Sequence, residues 1–334
     1  MALSWSKRAA LVAAALCLHG LSMSPALAKG DARFTSTVEF GDSLVDAGNY
    51  FINSGGTYPD AAGGFFEGRN TNGYDYTDLL SQQITGAPTT ASLAGGTNYA
   101  FGGARVLGGG FPDFATQIGE YQQHLAATGG KLDAHTLVSI TFGDNDVGAI
   151  DNGDLGGFGT RQEALAAIAG SYAAGIQTLA NMGARNILFT GFLYLDTKTS
   201  YELQDLLKAD LAQLTLPDGT HLYSYDILDF FKQAAADPTK LGLPAGLDTV
   251  TPCRAAGAQP NCSHYLFFDG DHPTAAAHQA ILNDMNHQFG LLNAATSAVP
   301  EPSAWAMLLA GFGLLGWMVR RKRLPTAPGT LATN

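Results

Sequence analysis

Five short runs of strand-forming residues, at 38–40, 99–101, 137–142, 187–192 and 222–228, recur along the chain with longer helix-patterned stretches between them. Strands that alternate with helices build βαβ units, and βαβ units give a parallel sheet covered by helices on both faces. The helices are predicted over 74–84, 112–127, 161–182, 199–214 and 274–289. Gly183 supplies the stop signal of the third, and Pro112 and Pro273 fit the first helical positions of theirs. The expected architecture is therefore a three-layer α/β/α fold with a central parallel sheet. In such sheets ligands bind beyond the carboxyl ends of the strands, and Ser43, Gly103 and Asn145 each follow a predicted strand directly.

Ser43 lies in Phe40-Gly41-Asp42-Ser43-Leu44-Val45-Asp46-Ala47-Gly48-Asn49, a strand end followed by a tight turn. Gly41 lets backbone approach backbone at the bend, and Asp42 and Ser43 are candidate caps for a following helix. A serine hydroxyl is a poor nucleophile near neutral pH, so a reactive Ser43 needs a base and donors for an oxyanion. Further blocks stand at Asn98-Tyr99-Ala100-Phe101-Gly102-Gly103-Ala104, Phe142-Gly143-Asp144-Asn145-Asp146 and Phe268-Asp269-Gly270-Asp271-His272-Pro273-Thr274. These four blocks, in this order from Thr35 to about Leu292, resemble those of the GDSL, or SGNH, esterase and lipase family, whose fold is flavodoxin-like. Gly68-Arg69-Asn70-Thr71-Asn72-Gly73 resembles an element that many members carry between the first two blocks.

The resemblance implies Ser43 as nucleophile, His272 as general base and Asp269 as the carboxylate that orients it. A turn placing Asp269 against an imidazole three residues on is also how a triad fixes the tautomer of its base. Asp271, adjacent to the histidine, points elsewhere and reads as a cap or a solvated charge. The oxyanion donors implied are the backbone N–H of Ser43, that of Gly103 and the side chain of Asn145, with Gly102 in reserve because one residue of register separates the two glycines. No cofactor and no metal is implied. The acidic stretch from Asp144 to Asp154 lacks the EF-hand pattern, since Gly148 stands where an oxygen ligand is wanted, and reads as a loop at the cleft rim. The glycine-rich segments 61–64 and 107–110 read as further loops bordering the cleft.

The two ends concern export. Lys7 and Arg8 precede an apolar run over 9–18, and Ala26-Leu27-Ala28 has the form a signal peptidase accepts, so residues 1–28 read as a secretory signal. Pro300-Glu301-Pro302 precedes sixteen apolar residues, 304–319, and the cluster Arg320-Arg321-Lys322-Arg323. Sixteen helical residues span roughly 24 Å, a marginal transmembrane segment. Order and spacing resemble the PEP-CTERM sorting signal handled by an exosortase; a simple membrane anchor is the other reading. The domains expected are a hydrolase body over 29–298, a sorting signal over 299–323 and a short tail over 324–334.

Charge and cysteines bear on the compartment. Lys7, Arg8 and the four basic residues 320–323 are six of the 18, and Glu301 is one of the 29 acidic residues, so the body carries 12 basic against 28 acidic residues, a net charge of −16. Such a body suits neither nucleic acid nor an anionic membrane. Cys17 falls in the signal, while Cys253 and Cys262 are expected to form one disulfide in an oxidising compartment. The function expected is an exported bacterial ester hydrolase working through an acyl-enzyme, held briefly at the inner membrane and then released to the surface. Its partners would be an ester substrate, a signal peptidase and an exosortase. The alternatives are a non-catalytic surface protein on the same scaffold, and an acyltransferase or deacetylase acting on exopolysaccharide.

Overall fold

In a computed structural model of the 334-residue chain, residues 33–292 are described. The expected signal at 1–28 and the sorting segment and tail at 299–334 lie outside the described residues. Four parallel strands form the sheet in the order β1 (Ser36–Gly41), β2 (Thr136–Thr141), β3 (Asn186–Phe189), β4 (His221–Ser224). Side chains alternate between the faces, as the pleat demands. Val38, Phe40, Val138, Ile140, Ile187 and Phe189 share one core with helices α3 (Phe114–Thr128), α4 (Asp144–Asp151), α5 (Arg161–Met182) and α6 (Lys198–Leu211). Leu137 and Leu188 face the other core, with α2 (Tyr76–Thr85), α7 (Ile227–Ala236) and α8 (Ala275–Phe289). The three-layer α/β/α arrangement with a central parallel sheet is therefore present. A short helix, α1 (Asn49–Asn53), follows the Ser43 turn.

The run at 99–101 differs from expectation. It lies along the free edge of β1, where Tyr99 N–H donates to Glu39 O (2.7 Å) and Phe101 N–H to Gly41 O (3.0 Å), with a parallel bridge at Glu39 and Asn98. It does not extend as a strand, because Asn98 Oδ1 accepts the Ala100 N–H (3.1 Å) and the chain turns at Gly102 and Gly103. This edge segment and β2 flank β1 on opposite sides, which makes the end of β1 the switch point of the sheet.

Other differences follow from caps. The run at 222–228 divides at Asp226, whose carboxylate accepts the Asp229 N–H (2.9 Å) and starts α7; the residues beyond it form a helical stripe instead of strand. Pro112 and Pro273 stand one residue before the caps, since Asp113 and Thr274 supply the oxygens, accepting from Thr116 N (3.0 Å) and Ala277 N (3.2 Å). The stretch expected as a loop after Asp144 opens as α4, with Val147 and Ile150 turned into the core. Asp42 and Ser43 cap no helix. Gly48 is the N-cap residue of α1, and the Asp46 carboxylate, two residues before it, accepts from Gly48 (2.8 Å), Asn49 (2.6 Å) and Tyr50 (3.0 Å). Helix α5 keeps the bounds read from sequence, with Thr160 and Glu163 forming a capping box and Gly183 ending it.

Candidate active site

Ser43 owes its position to how tightly β1 ends. A Cβ on Gly41 would fall 2.6 Å from Thr141 O and 2.6 Å from Val45 Cγ2, so only glycine fits where the strand bends. The buried Gln117 side chain clamps the same residue, accepting Gly41 N–H (2.9 Å) and donating to Gly41 O (2.8 Å). Asp42 N–H then reaches Thr141 O (3.1 Å), and Asp42 Oδ1 accepts from Leu44 N (3.0 Å). Ser43 is left at the tip of this turn, beyond the end of the sheet.

His272 arrives from the opposite end of the chain. Asp269 Oδ1 accepts the backbone N–H of Asp271 (2.9 Å) and of His272 (2.8 Å), folding a turn that brings its carboxylate to His272 Nδ1 at 2.9 and 3.0 Å. Across the ring, His272 Nε2 lies 2.8 Å from Ser43 Oγ. Burial works against the Asp269 carboxylate, but the hydrogen bond and charge of His272 outweigh it and hold the group below the usual carboxylate range. A carboxylate on Nδ1 fixes the proton there, which turns the Nε2 lone pair toward the serine. Thr71 Oγ1 donates to Pro273 O (2.7 Å), Asn72 Oδ1 accepts Ala275 N–H (2.9 Å), and Tyr194 donates to Asp271 O, so the turn is braced on two sides.

The expected oxyanion donors gather at the same place. Ser43, Gly102, Gly103, Asn145 and His272 line one cavity of about 500 Å³, with Asp269 behind the histidine. Of the two glycines, Gly102 spends its N–H on Asp46 Oδ2 (2.8 Å). Among the described residues the N–H groups of Ser43 and Gly103 have no acceptor. Gly103 has φ +79°, the left-handed conformation that favours glycine. Asn145 Nδ2 donates to Ala104 O (3.0 Å) and more weakly to Asp144 Oδ1 (3.3 Å). Burial, and then the nearby Asp144, push the Asp42 carboxyl in the turn beneath Ser43 well above the usual carboxylate range.

Asn70, within the quoted 68–73 element, and Asn152, within the acidic stretch, both line the cavity, whereas Tyr50, Tyr58, Phe111 and Tyr194 also line it with no local pattern to mark them. Asp46 stood within a quoted block, yet its link to Gly102 spans 56 residues. Cys253 and Cys262 are disulfide-bonded, with Cα atoms 5.5 Å apart. Among the described residues no group of three or more His, Cys, Asp or Glu side chains is placed to hold a metal ion.

A layered α/β/α protein that hydrogen-bonds a serine to a histidine and that histidine to an aspartate, at the switch point of its sheet, has the architecture of a hydrolase. The chain belongs to the GDSL-like lipase/acylhydrolase family, which matches residues 38–285, and residues 298–323 match the PEP-CTERM protein-sorting motif. No curated protein matches it. Among solved structures it is similar to LAE5, described as an alpha/beta hydrolase enzyme from the metagenome of Lake Arreo, Spain, at 16% identity and a TM-score of 0.41, covering 78% of this chain and 99% of that one.

Proposed function

We propose that this chain is an exported serine hydrolase that cleaves carboxylic esters by way of an acyl-enzyme. The observation that carries the reading is the continuous hydrogen-bonded line from Asp269 through His272 to Ser43 Oγ, ending at 2.8 Å. His272 Nε2 takes the Ser43 proton as Oγ attacks the acyl carbon, and the negative charge moves to the former carbonyl oxygen. The free N–H groups of Ser43 and Gly103 stabilise that oxyanion, and Asn145 joins them by exchanging its long contact with Asp144 for the developing charge. His272 then gives its proton to the departing alcohol oxygen as the C–O bond breaks. Water, deprotonated by the same nitrogen, attacks the acyl-enzyme, releasing the carboxylic acid and restoring Ser43.

In the export reading, residues 1–28 are the signal peptide, 29–298 the hydrolase body and 299–323 a sorting segment. An exosortase-type enzyme cuts near Pro300-Glu301-Pro302 and frees the body outside the inner membrane. The decisive experiment is turnover of short acyl esters by wild-type protein and by Ser43→Ala. Activity is expected in the first alone, and a folded Ser43→Ala protein with wild-type rates sinks the reading.

A further inference from the structure

The cavity has two unlike walls. One is a strip of rings: Tyr58 and Tyr50 have centroids 6.1 Å apart, Tyr50 and Phe111 5.6 Å, and Phe111 stacks at 5.6 Å on Phe101 beside the oxyanion glycine. Phe111 rests on Gly103, where an added Cβ would lie 3.0 Å from its ring. The other wall is one face of α4, where Asp144, Gly148 and the capping Asn152 follow at four-residue intervals. A Cβ on Gly148 would meet nothing within 4 Å, so that face is open between its two polar ends.

On the His272 side, Asn70 is 5% exposed, and its amide nitrogen has no hydrogen-bond acceptor among the described residues. Asp271 is the second acidic residue of the lining, and among the described residues no lysine or arginine lines the cavity. Such walls suit few esters. An alkyl chain laid here would strip water from Asp144, Asn152 and Asn70 and return no hydrogen bonds. An anionic alcohol would face two acidic side chains with no cation to offset them.

We propose that the site takes acyl esters of an uncharged, hydroxyl-rich ring, a sugar, and that Phe111, Tyr58, Asn70, Asp144 and Asn152 set this specificity. The C–H faces of the ring lie on the negative faces of the aromatic strip. Its hydroxyls donate to Asp144 and Asn152, and one of its oxygens accepts the orphaned Asn70 N–H. The alcohol carrying the ring sits on the His272 side, where it collects its proton. This inference rests on the hydrolase reading and adds the substrate class to it.

The test measures release of product by the full chain from four probes: methyl 3-O-acetyl-glucoside, methyl 3-O-acetyl-glucuronate, p-nitrophenyl acetate and p-nitrophenyl octanoate. The neutral sugar acetate is expected to exceed the glucuronate in kcat/KM by about tenfold or more, with the gap narrowing in 1 M NaCl as charge is screened. It is also expected to exceed the octanoate. Phe111→Ala and Asn70→Ala should each lower the ratio of sugar acetate to p-nitrophenyl acetate by about tenfold, chiefly through KM. Phe111 is 39% exposed, so its truncation leaves the core intact. Octanoate as the best substrate, equal rates on glucoside and glucuronate, or unchanged ratios in both variants overturns the proposal. Ser43-dependent cleavage of p-nitrophenyl acetate without cleavage of the sugar ester removes this inference alone. No turnover of any ester removes the hydrolase reading and this inference together.

Discussion

Ser43, His272 and Asp269 meet through hydrogen bonds of 2.8 to 3.0 Å, and each depends on a turn whose residues were readable in sequence. Truncating either Ser43 or His272 to alanine is expected to lower kcat by several orders of magnitude. Asn145→Ala should lose roughly 100- to 1000-fold in kcat, the cost of one oxyanion donor, while KM changes little. Steady-state kinetics on a short acyl ester check all three. A near-wild-type kcat in Asn145→Ala would remove that side chain from the oxyanion site and leave it as a tie to Ala104 O. Between Gly102 and Gly103 sequence had no means to choose. The Gly102 amide is spent on Asp46, 56 positions upstream, a pairing that no local pattern announces.

At the scale of elements, what was legible was whatever local chemistry dictates. Arg161–Met182 has its own capping box and terminal glycine, so its bounds could be read from those letters alone. The run at 99–101 and the one at 222–228 could not, because a local side-chain contact competes with strand pairing in each: Asn98, just before the first, accepts the Ala100 N–H, and Asp226, inside the second, accepts the Asp229 N–H. Helix α4 hid behind three aspartates and a glycine, a composition that favours loops until Val147 and Ile150 find the core. The disulfide loop acts at this scale too. Cys253 N–H donates to Phe267 O and Arg254 N–H to Phe268 O, both at 2.9 Å, and Phe268 N–H to His272 O at 2.7 Å, so the crosslinked loop backs the segment that carries the histidine turn. Closing the loop contributes roughly 2 to 3 kcal/mol in the chain-entropy account. Reduction is therefore expected to lower activity at a dithiothreitol concentration where near-ultraviolet circular dichroism still reports a folded core. Simultaneous loss of both signals would show that the loop supports the fold and not the site in particular.

For the whole molecule, delivery outside the cell predicts that native protein ends near residue 300; intact mass spectrometry showing a chain that reaches Asn334 would mean a retained anchor. The body's acidity makes a further demand on stability. Burial pushes Asp46 up to about 6 and Asp146 up to about 7, and raises Asp75 through burial and the neighbouring Asp78. Each of these groups keeps a proton in the folded protein that the unfolded chain has released above pH ~4. The stability they confer is present in acid and lost as pH rises through the folded values. His278 acts in the opposite sense. Burial lowers it to about 3, so the unfolded chain binds its proton first, and stability rises with pH between ~3 and ~6.5 before the effect ends. Above pH ~6.5 only the acids remain, and stability should fall by about 1 to 3 kcal/mol on going to pH ~8, a drop of several degrees in Tm. Self-repulsion among the 28 acidic residues of the body pulls the same way, but salt distinguishes the two causes. At 0.5 M NaCl the repulsion between surface charges is largely screened while desolvation of a buried carboxylate is not, so scanning calorimetry should still show a lower Tm at pH 8 than at pH 6.5. If the difference vanishes in salt, surface repulsion alone set it, and the buried acids ionise without cost to the fold.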